Sequence, residues 1–261
     1  MNIRFFQVDA FTNKPFKGNP AGVCIMDAPA DDQTLQAIAA ENNIAETAFL
    51  FKQPDGYRLR WFTPKVEMPL CGHATLASAH VLWTTGLAPA EEVIQFHTLS
   101  GLLTAARKDN RIELDFPARS HEPVALPTAL RQLFGDNYAD VVFSHDRYIV
   151  ELHSPEDVIN FVPDFHLLEK YLCVITSKGN NGYPYDFVSR YFAVPVGVNE
   201  DPVTGSAHCS LATYWAERLH KKTFHAYQAS ARGGELKVIL QNDRVLLQGE
   251  AVTVVAGTFY I

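Results

Sequence analysis

The chain has 261 residues, 47% hydrophobic and 20% charged, with a formal net charge of −7. That length suits one large or two ordinary globular domains, and an acidic balance without any Lys/Arg run argues against a nucleic-acid backbone as partner. No apolar stretch approaches a bilayer span, the N-terminus lacks the apolar core of a signal peptide, and Cys24, Cys71, Cys173 and Cys209 form no CxxC pair, so a cytoplasmic, disulfide-free setting is expected.

Ile3–Asp9 and Ala21–Met26 read as short strands, joined by a turn-rich loop ending in Gly18-Asn19-Pro20. Asp31–Asn42 reads as a helix with an acidic start and Leu35, Ile38 and Ala39 turned inward. Ala45–Phe51 and Tyr57–Phe62 follow as strands; in the second, Leu59 and Trp61 alternate with Arg58 and Arg60. Cys71–Trp83 is apolar nearly all round and rich in small residues, the pattern of a helix enclosed by other elements. Arg111–Phe116 is a further strand, and the polar, proline-containing stretch Ala118–Pro127 is the expected linker.

The second half repeats this plan. Leu130–Phe134 reads as helical, and Asp146–Leu152, Tyr171–Ser177 and Phe187–Val194 read as strands. Gly205–Leu219 is a second small-residue helix, followed by β segments at Glu235–Leu240, Arg244–Gln248 and Ala251–Ile261. Arg60-Trp61-Phe62-Thr63-Pro64 precedes the first small-residue helix, and Arg190-Tyr191-Phe192-Ala193 with Pro195 precedes the second. Cys71-Gly72-His73-Ala74 opens one and Thr204-Gly205-Ser206-Ala207 opens the other. An internal duplication giving two similar α/β lobes is expected, although two unrelated apolar strand-helix units would also give matches this short.

Helix openings matter chemically because they present unpaired N–H groups and a positive dipole end, a natural seat for a carboxylate. Glycines at those openings let a ligand approach the backbone. Glu46 sits at the mouth of an apolar strand, where partial desolvation would raise its pKa toward neutrality and suit it to take and return a proton. His73 and Asp201 belong to the two openings, so Glu46, His73, Asp201 and Ser206 form a candidate acid/base set. Each has an ordinary structural reading as well: Glu46 as a solvated or capping carboxylate, His73 as a backbone-bonded histidine, Asp201 as a turn residue. Cys71 reads as a small buried hydrophobe. A metal is not expected, since His208 with Cys209, or His73 with His80, lacks further ligands at zinc-like spacing. Ser206 lacks the G-x-S-x-G surroundings of a hydrolase nucleophile, and Gly233-Gly234 reads as a hairpin turn.

The stretches Phe6–Phe11, Gly18–Val23, Ala45–Phe49, Leu59–Pro64, Cys71–Ala77, Asp201–Ala207, Arg232–Gly234 and Val245–Gly257 together resemble the phenazine-biosynthesis PhzF-like family of the diaminopimelate epimerase fold superfamily. The resemblance covers nearly the whole chain. It implies an α+β fold of two pseudo-symmetric lobes, each a β-barrel-like sheet wrapped around a central helix, with the active site between them. The lobes are expected at 1–118 and 119–261, with the last strand able to pack back on the first. The resemblance further implies a cofactor-independent isomerase that moves a proton on carbon. Its catalytic residues would be Glu46, His73 and Asp201, its substrate-binding residues Gly72, Gly205 and Ser206, and it would need no metal, flavin or pyridoxal phosphate. The partner implied is a small carboxylate, and a homodimer is common in the family. A related branch epimerises amino or imino acids with two cysteines; Cys71 stands at the first position but Thr204 at the second, and threonine cannot act as a thiolate base. An epimerase and a non-catalytic binder of a small acidic metabolite remain the alternatives.

Overall fold

In the computed structural model, which describes residues 2–180 and 182–261, the first part of the chain folds around one helix. Strand β1 (Asn2–Ala10) pairs antiparallel with β2 (Asn19–Met26). Helix α1 (Asp32–Asn42) then starts because Asp31 caps it, accepting the Thr34 N–H at 2.8 Å, and stops where Asn43 turns into the left-handed region at φ 49°. The chain emerges directly into β3 (Glu46–Gln53), which runs parallel to β2 with Ala21 opposite Glu46. Gly22 makes this join possible: a Cβ there would lie 3.0–3.1 Å from Ile44 Cδ1, Asn42 Nδ2 and Thr47 Oγ1. Antiparallel to β3 comes β4 (Gly56–Phe62), which also pairs with the short β5 (Glu67–Met68).

Helix α2 (Gly72–Thr84) is buried from His73 through Ala79, and again at Val81 and Leu82. Its polar residues tolerate this because their hydroxyls bond back to the helix: Thr75 Oγ1 donates to the Cys71 carbonyl at 2.6 Å and Ser78 Oγ to that of Ala74 at 2.7 Å. Strand β6 (Ile94–Thr98) runs parallel to β4, and β7 (Gly101–Lys108) and β8 (Arg111–Pro117) follow as antiparallel neighbours. Helix α2 packs against β1, β2, β3, β7 and the last strand, Ala251–Tyr260, which pairs antiparallel along β1. A sheet wrapped round a helix is the result, and it explains why the helix is apolar all round.

The second part repeats this strand for strand. The short β9 (Glu122–Pro123) pairs with β10 (Asp140–Ser144), after the intervening helix α3 (Thr128–Phe134). Strand β11 (Arg147–Glu151) is antiparallel to β10. Two short helices, α4 (Pro155–Asn160) and α5 (Phe165–Leu168), lead to β12 (Cys173–Lys178), which is parallel to β11. Strand β13 (Phe187–Ala193) is antiparallel to β12 and to β14 (Val198–Asp201). The enclosed helix, α6 (Gly205–Leu219), is followed by β15 (Thr223–Gln228), parallel to β13, and by β16 (Gly234–Gln241), antiparallel to β15. Strands β17 (Arg244–Gly249) and β18 (Ala251–Tyr260) complete the chain as described. Around α6, Trp215 donates to Thr176 Oγ1 at 3.1 Å, Tyr214 to Glu151 at 2.6 Å, and Phe187 stacks on both His208 and Trp215.

The repeat extends to side chains. Arg60 makes a two-pronged ion pair with Glu67, both contacts at 2.7 Å, and lies over the Phe62 ring. Arg190 does the same with Glu200, at 2.7 and 3.0 Å, and lies over Phe192. Each pair ties the strand before the central helix to the short strand that follows it.

Two compact units result: residues up to Asp115 with Gln248–Ile261, and Phe116–Leu247. The units change at Asp115/Phe116, and Gln248–Ile261 lies with the first, where β18 pairs along β1; the expected lobes are 1–118 and 119–261 with the last strand able to pack back on the first. The expected linker Ala118–Pro127 is largely irregular but contributes β9. Gly233, at φ +67°, sits in the loop of the β15–β16 hairpin, where a Cβ would meet the Tyr227 hydroxyl. Among the described residues, no helix is long and apolar enough to cross a membrane.

Candidate active site

In the first unit, three elements converge at the start of α2. Strand β3 contributes its first residue, Glu46; the N-cap of α2 is Cys71; and its second residue is His73. His73 Nε2 lies 3.2 Å from Glu46 Oε2. On its other nitrogen, Nδ1 lies 3.3 Å from Asn19 Nδ2 and 3.5 Å from Cys71 Sγ. The His73 side chain is 7% exposed and that of Glu46 18%, so the carboxylate forms the accessible edge of an otherwise buried cluster. Its second oxygen takes no hydrogen bond or ion pair among the described residues.

The electrostatics of the cluster follow from burial. Burial raises the Cys71 thiol, so it stays protonated at neutral pH. Burial alone would lower His73, but the neighbouring Cys71 sulfur and Glu46 carboxylate outweigh it and hold the imidazole well above its usual range. With the thiol protonated, the carboxylate is the charge that keeps the proton on the ring. Glu46, Cys71 and His73 each bring one ligand atom within 4.8 Å of the others, a donor set that could hold a metal ion. Spacing in the sequence could not reveal it, because the third ligand arrives from β3.

In the second unit, Asp201 ends β14 and accepts a short hydrogen bond from Thr204 Oγ1, the N-cap of α6. Buried Gln228 braces this turn: its Oε1 accepts the Thr204 N–H at 2.8 Å, and its Nε2 donates to the Asp201 carbonyl at 2.7 Å. Ser206 is exposed at the helix start, and its hydroxyl accepts from buried Arg147 at 3.1 Å. Arg147 also pairs with Asp146 at 2.6 Å and lies over the Tyr191 ring.

The predicted residues therefore fall into two groups: Glu46, Gly72 and His73 in the first unit, and Asp201, Gly205 and Ser206 in the second. The sequence reading missed Asn19, Arg147 and Gln228, and gave Cys71 no part. Asn19 and Arg147 are counterparts: each sits at the first residue of a matching strand and meets the second residue of the central helix. Cys71 and Thr204 are likewise both N-caps with extended backbone, and neither makes a side-chain capping bond. No acidic residue occupies the first turn of α2 or α6, so both positive helix ends are left for a ligand. The units differ at one position above all. Through the pairing with the following strand, Thr47 opposes Phe62 and Cys173 opposes Phe192, so Glu46 matches Leu172; through the pairing with the preceding strand, Ala21 opposes Glu46 and Ile149 opposes Val174, so it matches Val174, and neither residue is acidic. Only the first unit carries the carboxylate.

His208, the imidazole on the second central helix, has a different fate. It is fully buried, bonded through Nδ1 to the Thr204 carbonyl at 2.8 Å and stacked on Phe187. Burial pushes it down to about 4, so it is a neutral core residue. The two histidines should therefore pull stability in opposite directions with pH. His208 favours the folded state above the ordinary value of 6.5, and that contribution, about 3 kcal/mol, is lost as pH falls from there toward about 4. The contribution of His73 is complete below 6.5 and is lost as pH rises through its raised folded value. Side-chain 15N shifts recorded from pH 4 to 9 will show His208 neutral and His73 charged near pH 7; a His208 that titrates near 6.5 would contradict this.

Comparison with known proteins gives a consistent picture. The family described as phenazine biosynthesis-like protein matches residues 8–257. An uncharacterized isomerase of Halalkalibacterium halodurans is 50% identical over 258 residues, covering 97% of each chain. The crystal structure of a PhzF-family phenazine biosynthesis protein from Enterococcus faecalis superposes with a TM-score of 0.94 at 38% identity, covering 100% of both chains. A hydroxyproline epimerase from Agrobacterium vitis, at 13% identity and a TM-score of 0.64, covers 98% of this chain and 92% of its own. That last likeness shows the fold alone, the α+β diaminopimelate epimerase-like architecture.

Proposed function

The chain belongs to the phenazine biosynthesis-like family, and on that premise we propose that it is an isomerase that relocates a proton between carbons of a small carboxylate-bearing substrate, with Glu46 as the acid/base. The observation that carries this reading is the division of labour on one side chain. One oxygen of Glu46 is fixed by His73 at 3.2 Å, and the other takes no hydrogen bond or ion pair among the described residues, on a side chain that is 18% exposed. A carboxylate held in this way is oriented but not consumed. Its free oxygen takes a proton from a carbon acidified by an adjacent carbonyl or unsaturated system, then delivers it to another carbon of the same molecule. Electrons balance within the substrate, so no redox partner is required. The His73 imidazolium supplies positive charge beside the transiently anionic substrate and steadies the carboxylate between the two transfers.

In this reading Gly72 in the first unit and Gly205 and Ser206 in the second offer N–H groups for a substrate carboxylate, and Asp201 acts as a proton shuttle. Asp201→Asn leaves an acceptor for the Thr204 hydroxyl but removes the charge. It is expected to slow turnover about 100-fold while leaving the melting temperature almost unchanged. An unchanged rate would remove Asp201 from the mechanism.

The decisive experiment incubates the wild-type protein with a panel of small unsaturated and keto carboxylates in deuterated water. Solvent deuterium appearing at a new carbon supports the isomerase. Deuterium at an amino-acid α-carbon with inversion would instead mark an epimerase. Thr204 argues against that outcome, since its hydroxyl is bonded to Asp201 and cannot replace a thiolate base. Tight binding of a carboxylate with no exchange at any carbon would reduce the protein to a binder.

A further inference from the structure

We propose that Glu46, Cys71 and His73 form a binding site for a zinc-like divalent ion, and that an ion bound there switches the enzyme off. The second half of this rests on the role given to Glu46 above. A nitrogen, a sulfur and a carboxylate oxygen converge at the opening of α2: His73 Nε2 is 3.2 Å from Glu46 Oε2 and 4.0 Å from Cys71 Sγ, and all three ligand atoms lie within 4.8 Å of one another. Zinc bonds of about 2.0–2.3 Å in a tetrahedron place neighbouring ligand atoms roughly 3.3–3.7 Å apart. The 3.2 and 4.0 Å separations to His73 lie within a few tenths of an ångström of that range, and a rotation of the Glu46 carboxylate at the accessible edge would bring its oxygen to the same distance from Cys71 Sγ.

The setting favours a soft or borderline cation. Thiolate and imidazole select zinc or cobalt over magnesium or calcium, which want oxygen alone. Cys71 and His73 are buried, so their rotamers are held, and Glu46 forms the open edge. Three protein ligands with one accessible side leave the fourth position to water. Asn19 lies behind the ring with its amide nitrogen 3.3 Å from His73 Nδ1, and turning that amide over would let its oxygen accept the Nδ1–H when Nε2 is on the metal.

Binding exchanges protons for metal. The thiol becomes a thiolate bonded to the ion and the imidazolium loses its Nε2 proton, so two protons leave as one dication enters. Occupancy should therefore collapse as pH falls. While the ion is present, the carboxylate oxygens serve the metal rather than a carbon acid. Catalysis and metal capture compete for one side chain, and the ion acts as an inhibitor, not as a cofactor.

Cobalt(II) reports the site directly. Titrating chelator-stripped protein with Co2+ should give tetrahedral visible bands and a near-ultraviolet thiolate-to-cobalt band, both saturating at one equivalent, with Mg2+ giving neither. Cys71→Ala should lose the thiolate band, and Zn2+ affinity, read by competition with a chromophoric chelator, should fall at least about 100-fold, since even outer-shell changes cost 10–100-fold. Cys71→Ser, nearly isosteric, guards against a packing defect and should behave the same way. A wild-type protein without a thiolate band, or a band of equal strength in either Cys71 variant, overturns the site. Zn2+ should also suppress deuterium exchange in the wild type in proportion to occupancy. If cobalt fills the site as described while exchange continues undiminished, the metal site stands and Glu46 loses its catalytic role.

Discussion

Glu46→Gln is expected to abolish measurable proton transfer, lowering the rate of solvent-deuterium incorporation by about 100- to 10,000-fold, the range associated with a positioned general acid/base. The amide is isosteric with the carboxylate and can still meet His73 at the 3.2 Å contact. It cannot accept a proton from carbon, however, and it no longer holds the imidazole charged. Two results should therefore move together: turnover collapses, and the His73 titration drops from its raised position toward or below the ordinary value of 6.5. The fold should survive, since Glu46 stands at the accessible edge of its strand and is not packed in the core. Wild-type exchange rates in this variant would end the proposed mechanism, whatever substrate is eventually identified.

Arg190→Met is expected to lower stability by about 3–5 kcal/mol, the cost of leaving one member of a buried pair behind. Arg190 is 9% exposed, and it grips Glu200 with two nitrogens. Its remaining donor reaches the Phe161 carbonyl at 2.6 Å, and its plane lies over Phe192. Methionine fills part of the volume but strands the Glu200 carboxylate and that carbonyl away from any donor. Melting should fall on the order of 10 °C. The double variant Arg190→Met/Glu200→Leu should recover much of this loss, because replacing both charges with apolar groups removes the orphaned ion. If the double variant is as unstable as the single one, the penalty comes from packing rather than from the unpaired charge.

How far these residues could be foreseen depends on where their neighbours lie in the chain. The two central helices announced themselves because an enclosed helix must be apolar on every face, and α6 has the bounds its composition suggested. Glu46 and His73 were nominated by their places at a strand mouth and a helix opening. Thr223–Gln228 escaped notice because its inner face ends in Gln228, a polar residue that reads as surface until Thr204 and Asp201 are seen bonded to it. Asn19 and Arg147 escaped for a related reason: each is a polar first residue of a strand, and its function lies in a helix more than fifty positions away. Cys71 looked like filler because hydrophobic context describes a thiol's burial and not what its sulfur faces.

The return of the last strand to the first unit has a consequence for biogenesis. Strand β9 is made at the start of the second unit and pairs within it, whereas β18, which flanks β1, is made only after the whole of the second unit. A ribosome working from the N-terminus thus emits the first unit with an open β1 edge and must deliver the second before that edge can be sealed. The half that carries Glu46 is begun first and finished last, so a nascent chain arrested at Leu247 should offer proteases that half while the other half already resists them.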